Sequence, residues 1–437
     1  MNKEQIPLQY KLAAILSVFM LLVPIIIGLR YQEIMQASDF SMTFYVVGNM
    51  IAHGQLQDIY PPLQAGSLIH TPFDNYAHQL LDKLPARNVA IYMYSPLTAV
   101  LFAPFGLLNP VAALACWQTV IVISALACIP LLVPPQALKS ALTRVKLLSW
   151  VALFAPLIQQ ILIGHLSVPL GMLPLSLGYF FLCRGKDFLA GCVFALLFLK
   201  PQFLPSALLF IGCYTFTKRF NALLGFLCGS LAITLLTVFA LGPETLVHWY
   251  QSLKFSDTIF TNPAYNYPHY LAVSIPSVVL QLLPSEQTSM AKLVLYSLAA
   301  ILGVFTLYVS VGLIKKIGKE QSMPLILVLS ILVLPVVLPH FLYYDLCSLI
   351  CAALVIQSNA LPTALEAKFK RLILALYVVI NFYFVYFFAT NIKGSHSIAP
   401  VVLVLFMTSV FALAMHQFAK LDPNSISSVV RTSDETA

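Results

Sequence analysis

Charged side chains are scarce in this sequence: Asp, Glu, Lys and Arg make up only 9% of its 437 residues. A soluble domain carries about 25%, so an ordinary water-soluble enzyme is excluded. Disorder is excluded as well, because it needs high charge and few apolar residues, and 60% of this chain is hydrophobic. No nucleotide-binding Gly-rich motif, CxxC or HExxH occurs, which argues against ATP-driven transport by this chain alone. The first apolar run has no small-residue cleavage site, so it reads as a span and not as a removable signal peptide. The eight cysteines lie inside or at the ends of apolar runs, none in mid-loop. They read as small buried hydrophobes rather than a disulfide framework.

Long apolar runs are what the chain has in abundance. A bilayer-spanning helix needs roughly 20 apolar residues, and the runs here are continuous, unlike the short alternating segments of a β-barrel. Twelve stand out: 12–29, 112–133, 147–163, 166–183, 188–200, 201–216, 220–241, 291–314, 322–338, 342–357, 372–389 and 398–417. The expected fold is an all-α polytopic membrane protein of about 12 transmembrane helices in a single membrane domain, 1–437. Placing the N-terminus in the cytoplasm puts 17 of the 24 Lys and Arg inside, a strong positive-inside bias. The net charge of +8 therefore reports orientation, not nucleic-acid binding. Residues 92–108 are apolar but hold Pro96 and Pro104. A full crossing there would flip every later basic cluster, so the segment is expected to be re-entrant or to lie against the outer face.

Two stretches are too polar to span, 30–91 and 242–290, and loops of this length usually carry function. Within the first, Phe40 to His53 is amphipathic, with Phe44, Val47 and Ile51 on one face, and is expected to lie in the interface plane. The tail, 418–437, is polar and expected to be disordered and cytoplasmic.

Under this topology eight of the nine His fall on the outer side, with Asp39, Asp58, Asp74, Asp82, Lys200 and Asp345. Ionisable groups at membrane depth invite functional readings. Asp39 reads either as a helix N-cap or as a carboxylate held at a helix N-terminus to accept a proton. Lys200, just before Pro201, is either a snorkelling lysine or an anion partner at a broken helix. His340, followed by Tyr343, Tyr344 and Asp345, and His165 in Ile163-Gly164-His165-Leu166 read as turn residues or as site residues. In the second loop Asn262 to Tyr270, with Asn266 and His269, is dense in aromatics that fit interface anchoring or sugar stacking. No metal-ligand spacing stands out, so no metal or other cofactor is expected.

Read in order, several short motifs carry a resemblance. They are Asp39-Phe40, Tyr45, Gly54 and Tyr60, then Tyr94-Ser95-Pro96-Leu97 with Ala103-Pro104, and Trp117. Gly164-His165 follows, then Arg184-Gly185-Lys186, Ala190-Gly191, Leu199-Lys200-Pro201 and Pro339-His340. Over roughly residues 12 to 350 the pattern resembles glycosyltransferase family 87, the polyprenol-phosphate-mannose-dependent mannosyltransferases of GT-C type fold. The resemblance implies an inverting transfer of a sugar, mannose by the family, on the outer face of the membrane. The donor would be a polyprenyl-phosphate sugar, and the acceptor a glycan, glycolipid or protein. Asp39 maps onto the family's general base, and Lys200 and His340 onto its donor-phosphate groups. His165, Tyr94, Asn266 and His269 are further substrate-binding candidates, His165 standing where the family usually has Gln. A bacterial inner membrane with both termini cytoplasmic fits this reading. The competing classes are a secondary transporter or flippase, which the broken helix at Lys200 would suit, and a non-catalytic scaffold. No internal repeat supports the carrier.

Overall fold

The computed structural model describes residues 7–61, 67–255, 271–283, 288–358, 361, 363–390 and 399–421. Among these residues every regular element is a helix, apart from one isolated antiparallel bridge between Ala272 and Leu342. Continuous apolar runs satisfy their backbone groups internally only as helices when no water is present, and the chain follows that rule.

Seven helices among the described residues are long and apolar enough to cross a membrane, or eight if one bent pair counts as a span. The elements used below are α1 (Leu8–Arg30), α2 (Val46–Ala52), α3 (Pro96–Gly106), α4 (Pro110–Leu132), α5 (Ala141–Ala152), α6 (Ala155–Ile163), α7 (Leu173–Cys183), α8 (Asp187–Ala195), α9 (Leu204–Phe216), α10 (Asn221–Leu241), α11 (Thr288–Ile317), α12 (Lys319–Leu332), α13 (Leu349–Gln357), α14 (Thr363–Thr390) and α15 (Ala399–Ala419). The count of twelve expected from hydropathy is not reached by helix length. The runs at 166–183, 188–200, 201–216 and 342–357 form shorter helices, broken by π-helical turns, 3₁₀ turns or prolines.

One break has a visible cause. α5 and α6 meet at 59°, and Pro156 stands in the first turn of α6. Two of the backbone groups freed at the bend are taken up by a single side chain. Asn381 of α14 donates Nδ2–H to the Leu153 carbonyl at 3.1 Å and accepts the Ala155 N–H at 2.8 Å. A polar side chain placed there keeps the kink from leaving orphaned groups.

Proximity to lipid or protein cannot be told from hydropathy, and α12 shows why. Ser322 to Leu332 are all buried inside the protein, whereas the equally apolar α11 leaves Val304 68% and Tyr308 74% exposed. α12 is the central staff of the bundle.

The segment expected at the interface behaves differently. Phe40–Tyr45 forms a π-helical turn that runs into α2. Phe44 and Val47 are fully buried and only Ile51 of the expected lipid face is partly exposed. The apolar face covers α3, not lipid headgroups. α3 has 11 residues, about 16 Å at 1.5 Å per residue, roughly half the thickness of a hydrocarbon core. The two helices touch through glycines. A Cβ on Gly48 would stand 2.2 Å from the Phe102 carbonyl oxygen, and one on Gly106 would stand 2.3 Å from the Asn49 nitrogen. Neither neighbour is a flexible side chain, so the helices must separate to admit a methyl group. Gly48→Ala is therefore expected to lower stability by about 1–3 kcal/mol, the range for overpacking, read as a drop in apparent Tm of the purified protein.

Candidate active site

The site is built from the start of the π-turn before α2, the turn after α6, the break between α8 and α9, and the 3₁₀ turn Tyr343–Ser348. Asp39 opens the first of these. It is not the cap of its helix. Ser38 accepts the Ser41 N–H on its hydroxyl at 3.3 Å, while Asp39 itself has helical backbone angles and makes no side-chain cap hydrogen bond. Among the described residues its carboxylate has no hydrogen-bond partner, and the residue is only partly buried. Burial raises its pKa from 3.8 to about 6; the nearby Lys200 charge works against the rise and the Asp345 charge adds to it.

Phe40, the next residue, anchors Asp39 beside the α6 turn. Gly164 caps α6 with φ +68°, and a Cβ there would fall 2.5 Å from the Phe40 Cβ. Both the left-handed backbone and the close approach call for glycine. Trp117 of α4 stacks on Phe40 at 6.4 Å and donates its indole N–H to the Gly164 carbonyl at 2.9 Å. Phe44, one turn further on, packs on Tyr94 and His165.

Lys200 sits where α8 and α9 are interrupted. Two 3₁₀ turns, Leu196–Leu199 and Pro201–Phe203, flank it, and its own backbone is non-helical. The side chain does not snorkel. It is 1% exposed and its Nζ lies 3.2 Å from Asp345 Oδ1, which is equally buried. The rings of Tyr94 and Tyr344 stand 6.0 and 5.8 Å from the ammonium, within the range of a cation–π contact. Asp345 also accepts the Leu342 N–H on Oδ2 at 3.0 Å, so both oxygens of the buried carboxylate are engaged.

A directed chain of hydrogen bonds ends on that carboxylate. A carboxylate only accepts, so the Ser167 hydroxyl must donate to Asp345. Ser167 then accepts from His165 Nδ1 at 3.2 Å, and Nε2 of His165 accepts the Tyr94 hydroxyl at 2.9 Å. The partners fix the tautomer. The imidazole is held neutral: burial and the Lys200 charge both press its pKa well below the usual value. One nitrogen donates and one accepts, which is what a glutamine amide can also do. His165→Gln is accordingly expected to keep most activity, whereas His165→Ala breaks the chain and should cost at least tenfold in transfer rate, measured in the same membranes.

Of the residues singled out from sequence, Asp39, Tyr94, His165 and Lys200 come together. His340 is half-buried on the loop that leads into Asp345, five positions before it. Asn266 and His269 lie outside the described residues. Asp345 and Ser167 were given no role by the sequence, and they are the groups that join the others. The other carboxylates weighed from sequence in the stretch 30–91 are placed elsewhere. Asp74 accepts the backbone N–H groups of His70 and Ala90 at 2.9 and 2.8 Å and staples that stretch. Asp82 pairs with Gln36 at 3.0 Å, and Asp58 is exposed.

A partly open carboxylate beside a buried Lys–Asp pair, in a bundle of membrane-length helices, suits a proton-accepting enzyme. The family model of glycosyltransferase family 87 matches residues 92–339, more than half of the chain. The chain belongs to glycosyltransferase family 87. This family 87 member is therefore a multi-pass membrane glycosyltransferase, which requires a sugar donor and an acceptor and sets aside the carrier and scaffold readings. No curated protein and no solved structure matches the chain. The match includes Tyr94, His165 and Lys200 of the site, while Asp39, His340 and Asp345 lie beyond its ends.

Proposed function

We propose that this enzyme transfers a sugar, mannose by its family, from a polyprenyl-phosphate donor to an acceptor hydroxyl on the outer face of a bacterial inner membrane, with inversion and with both termini cytoplasmic. The uncommitted Asp39 carboxylate is the observation that carries the reading. A base works best when its pKa lies near the working pH, and about 6 for Asp39 meets that need. The acceptor oxygen attacks the anomeric carbon, its proton passes to Asp39, and the bond from that carbon to the phosphate oxygen breaks. The electron pair leaves with the lipid phosphate.

Phosphate is a good leaving group, so the reaction needs no strong general acid. It needs positive and hydrogen-bonding groups where the charge grows. Lys200 and His340 are assigned to that work. Asp345 neutralises Lys200 in the resting enzyme and orients it, and the ammonium keeps protons for the arriving phosphate, since Lys offers three donors. The mechanism uses protein groups alone, with no metal or other cofactor. The acceptor is a glycan, glycolipid or protein.

The test is the pH dependence of transfer. Labelled sugar is supplied on a synthetic polyprenyl phosphate to membranes containing the enzyme. The rate should rise about tenfold per pH unit below about 6 and level off above it, because only the ionised carboxylate accepts a proton. A rate that stays flat from pH 5 to pH 7 would contradict Asp39 as the base.

A further inference from the structure

A second concave surface, built from none of the active-site residues, lies where the ends of α9 and α15 meet α11. It is a groove of about 600 Å³. Its wall runs along α11 from Val304 through Tyr308 to Lys316, closed by Phe216 of α9 and Phe418 of α15. One end is cationic, with Lys315 and Lys316, and among the described residues no acidic side chain lines it. The rest is apolar.

Three features point to the occupant. From Val304 to Lys316 the groove follows thirteen residues of helix, a rise of about 18 Å at 1.5 Å per residue. That is close to the depth of one leaflet, half of a roughly 30 Å core. Its polarity is that of an amphiphile with an anionic head. Lys316 Nζ donates to the Ala419 carbonyl at 2.9 Å, which ties the ammonium to the groove mouth with protons to spare, and Lys315 is exposed beside it. Finally, Gly312 sits inside a 30-residue helix and lines the groove, yet a Cβ placed on it would meet nothing within 4 Å. Glycine weakens a helix interior, and here no neighbouring atom of the described residues requires it. Its absent side chain leaves room for something that is not protein.

We propose that this groove is a site for an anionic membrane phospholipid, its phosphate at Lys315 and Lys316 and one acyl chain laid along α11 past Gly312. Basic pockets between membrane helices favour such headgroups. The leaflet is the one the lysine clusters face, cytoplasmic in the orientation given by the charge bias, and so opposite the proposed sugar transfer. The site stands whether or not the donor assigned above is correct.

The full-length protein in detergent is titrated with phosphatidylglycerol or phosphatidylcholine, and bound lipid is counted by native mass spectrometry. Phosphatidylglycerol should bind preferentially. Replacing both lysines by Ala should weaken it roughly thirtyfold, the combined effect of two lysines near a charged lipid surface, and replacing both by Arg should restore it. Gly312→Leu should abolish lipid binding while leaving the apparent Tm in detergent equal or higher, which separates blocking from misfolding. Equal binding of the two lipids would overturn the proposal. So would a Gly312→Leu protein that binds as wild type does, or displacement of the lipid by inorganic phosphate alone.

Discussion

Asp39→Asn is expected to make the protein more stable and far less active at the same time. Burial holds the Asp39 pKa at about 6 against 3.8 for an unperturbed carboxyl. The folded protein therefore binds a proton more tightly than the unfolded chain does. The sign follows: wild-type stability falls as pH rises from about 4 to about 6, and the full penalty is present above that range. Each tenfold difference in proton affinity between the two states is worth roughly 1.4 kcal/mol. The ionised form therefore costs on the order of 1–3 kcal/mol, allowing for its partial exposure. Asparagine has the same shape and no charge to bury. Its apparent Tm should exceed that of wild type by a few degrees at pH 7.5 and equal it near pH 4. Transfer should meanwhile fall by about 10²- to 10⁴-fold, the usual contribution of a positioned acid or base. If asparagine were destabilising at pH 7.5, the carboxylate would be a structural anchor instead.

The second large effect is expected at the Lys200–Asp345 pair. Both side chains are 1% exposed and 3.2 Å apart. Removing one partner strands a charge in the interior, at a cost of about 3–5 kcal/mol. Lys200→Met or Asp345→Leu alone should therefore yield little folded protein, scored by size-exclusion profile and apparent Tm. The double variant has no stranded charge and should recover much of that loss, because apolar replacements of a buried pair are often neutral. It should still be inactive, since the group proposed to meet the donor phosphate is gone. Lys200 lowers the Asp39 pKa and Asp345 raises it by less, so Asp39 in the double variant should titrate only slightly higher than in wild type. A double variant no better folded than either single one would mean that Lys200 and Asp345 act separately.

The helical class of the fold was legible because continuous apolar runs leave few alternatives to helices. The number of full crossings was not, because hydropathy does not distinguish a lipid-facing helix from one enclosed by protein. α12 and α11 are equally apolar, and only the structure shows one buried and the other open. Breaks were legible where a proline marked them, as at Lys200-Pro201. The bend between α5 and α6 carries a proline as well, Pro156, but the side chain that takes up backbone groups there, Asn381, lies more than two hundred residues away and no local pattern points to it.

The active site divides in the same way. Asp39, His165 and Lys200 each stand out singly, as polar groups at the ends of apolar runs. What they do together depends on Ser167 and Asp345, 178 residues apart in sequence, and no local pattern announces such a contact. The reading of Asp39 as either a cap or a base turns on a one-residue difference. Ser38 takes the capping bond, and Asp39 is left free for a proton.

The central claim is that Asp39 turns over a sugar carried on a polyprenyl phosphate. Its most direct test is to purify wild type and Asp39→Asn with their native lipids and identify the retained isoprenoids by mass spectrometry. The account predicts an intact polyprenyl-phosphate hexose or pentose, enriched in the variant that can bind the donor but cannot accept the proton. No isoprenoid phosphate in either preparation would contradict it.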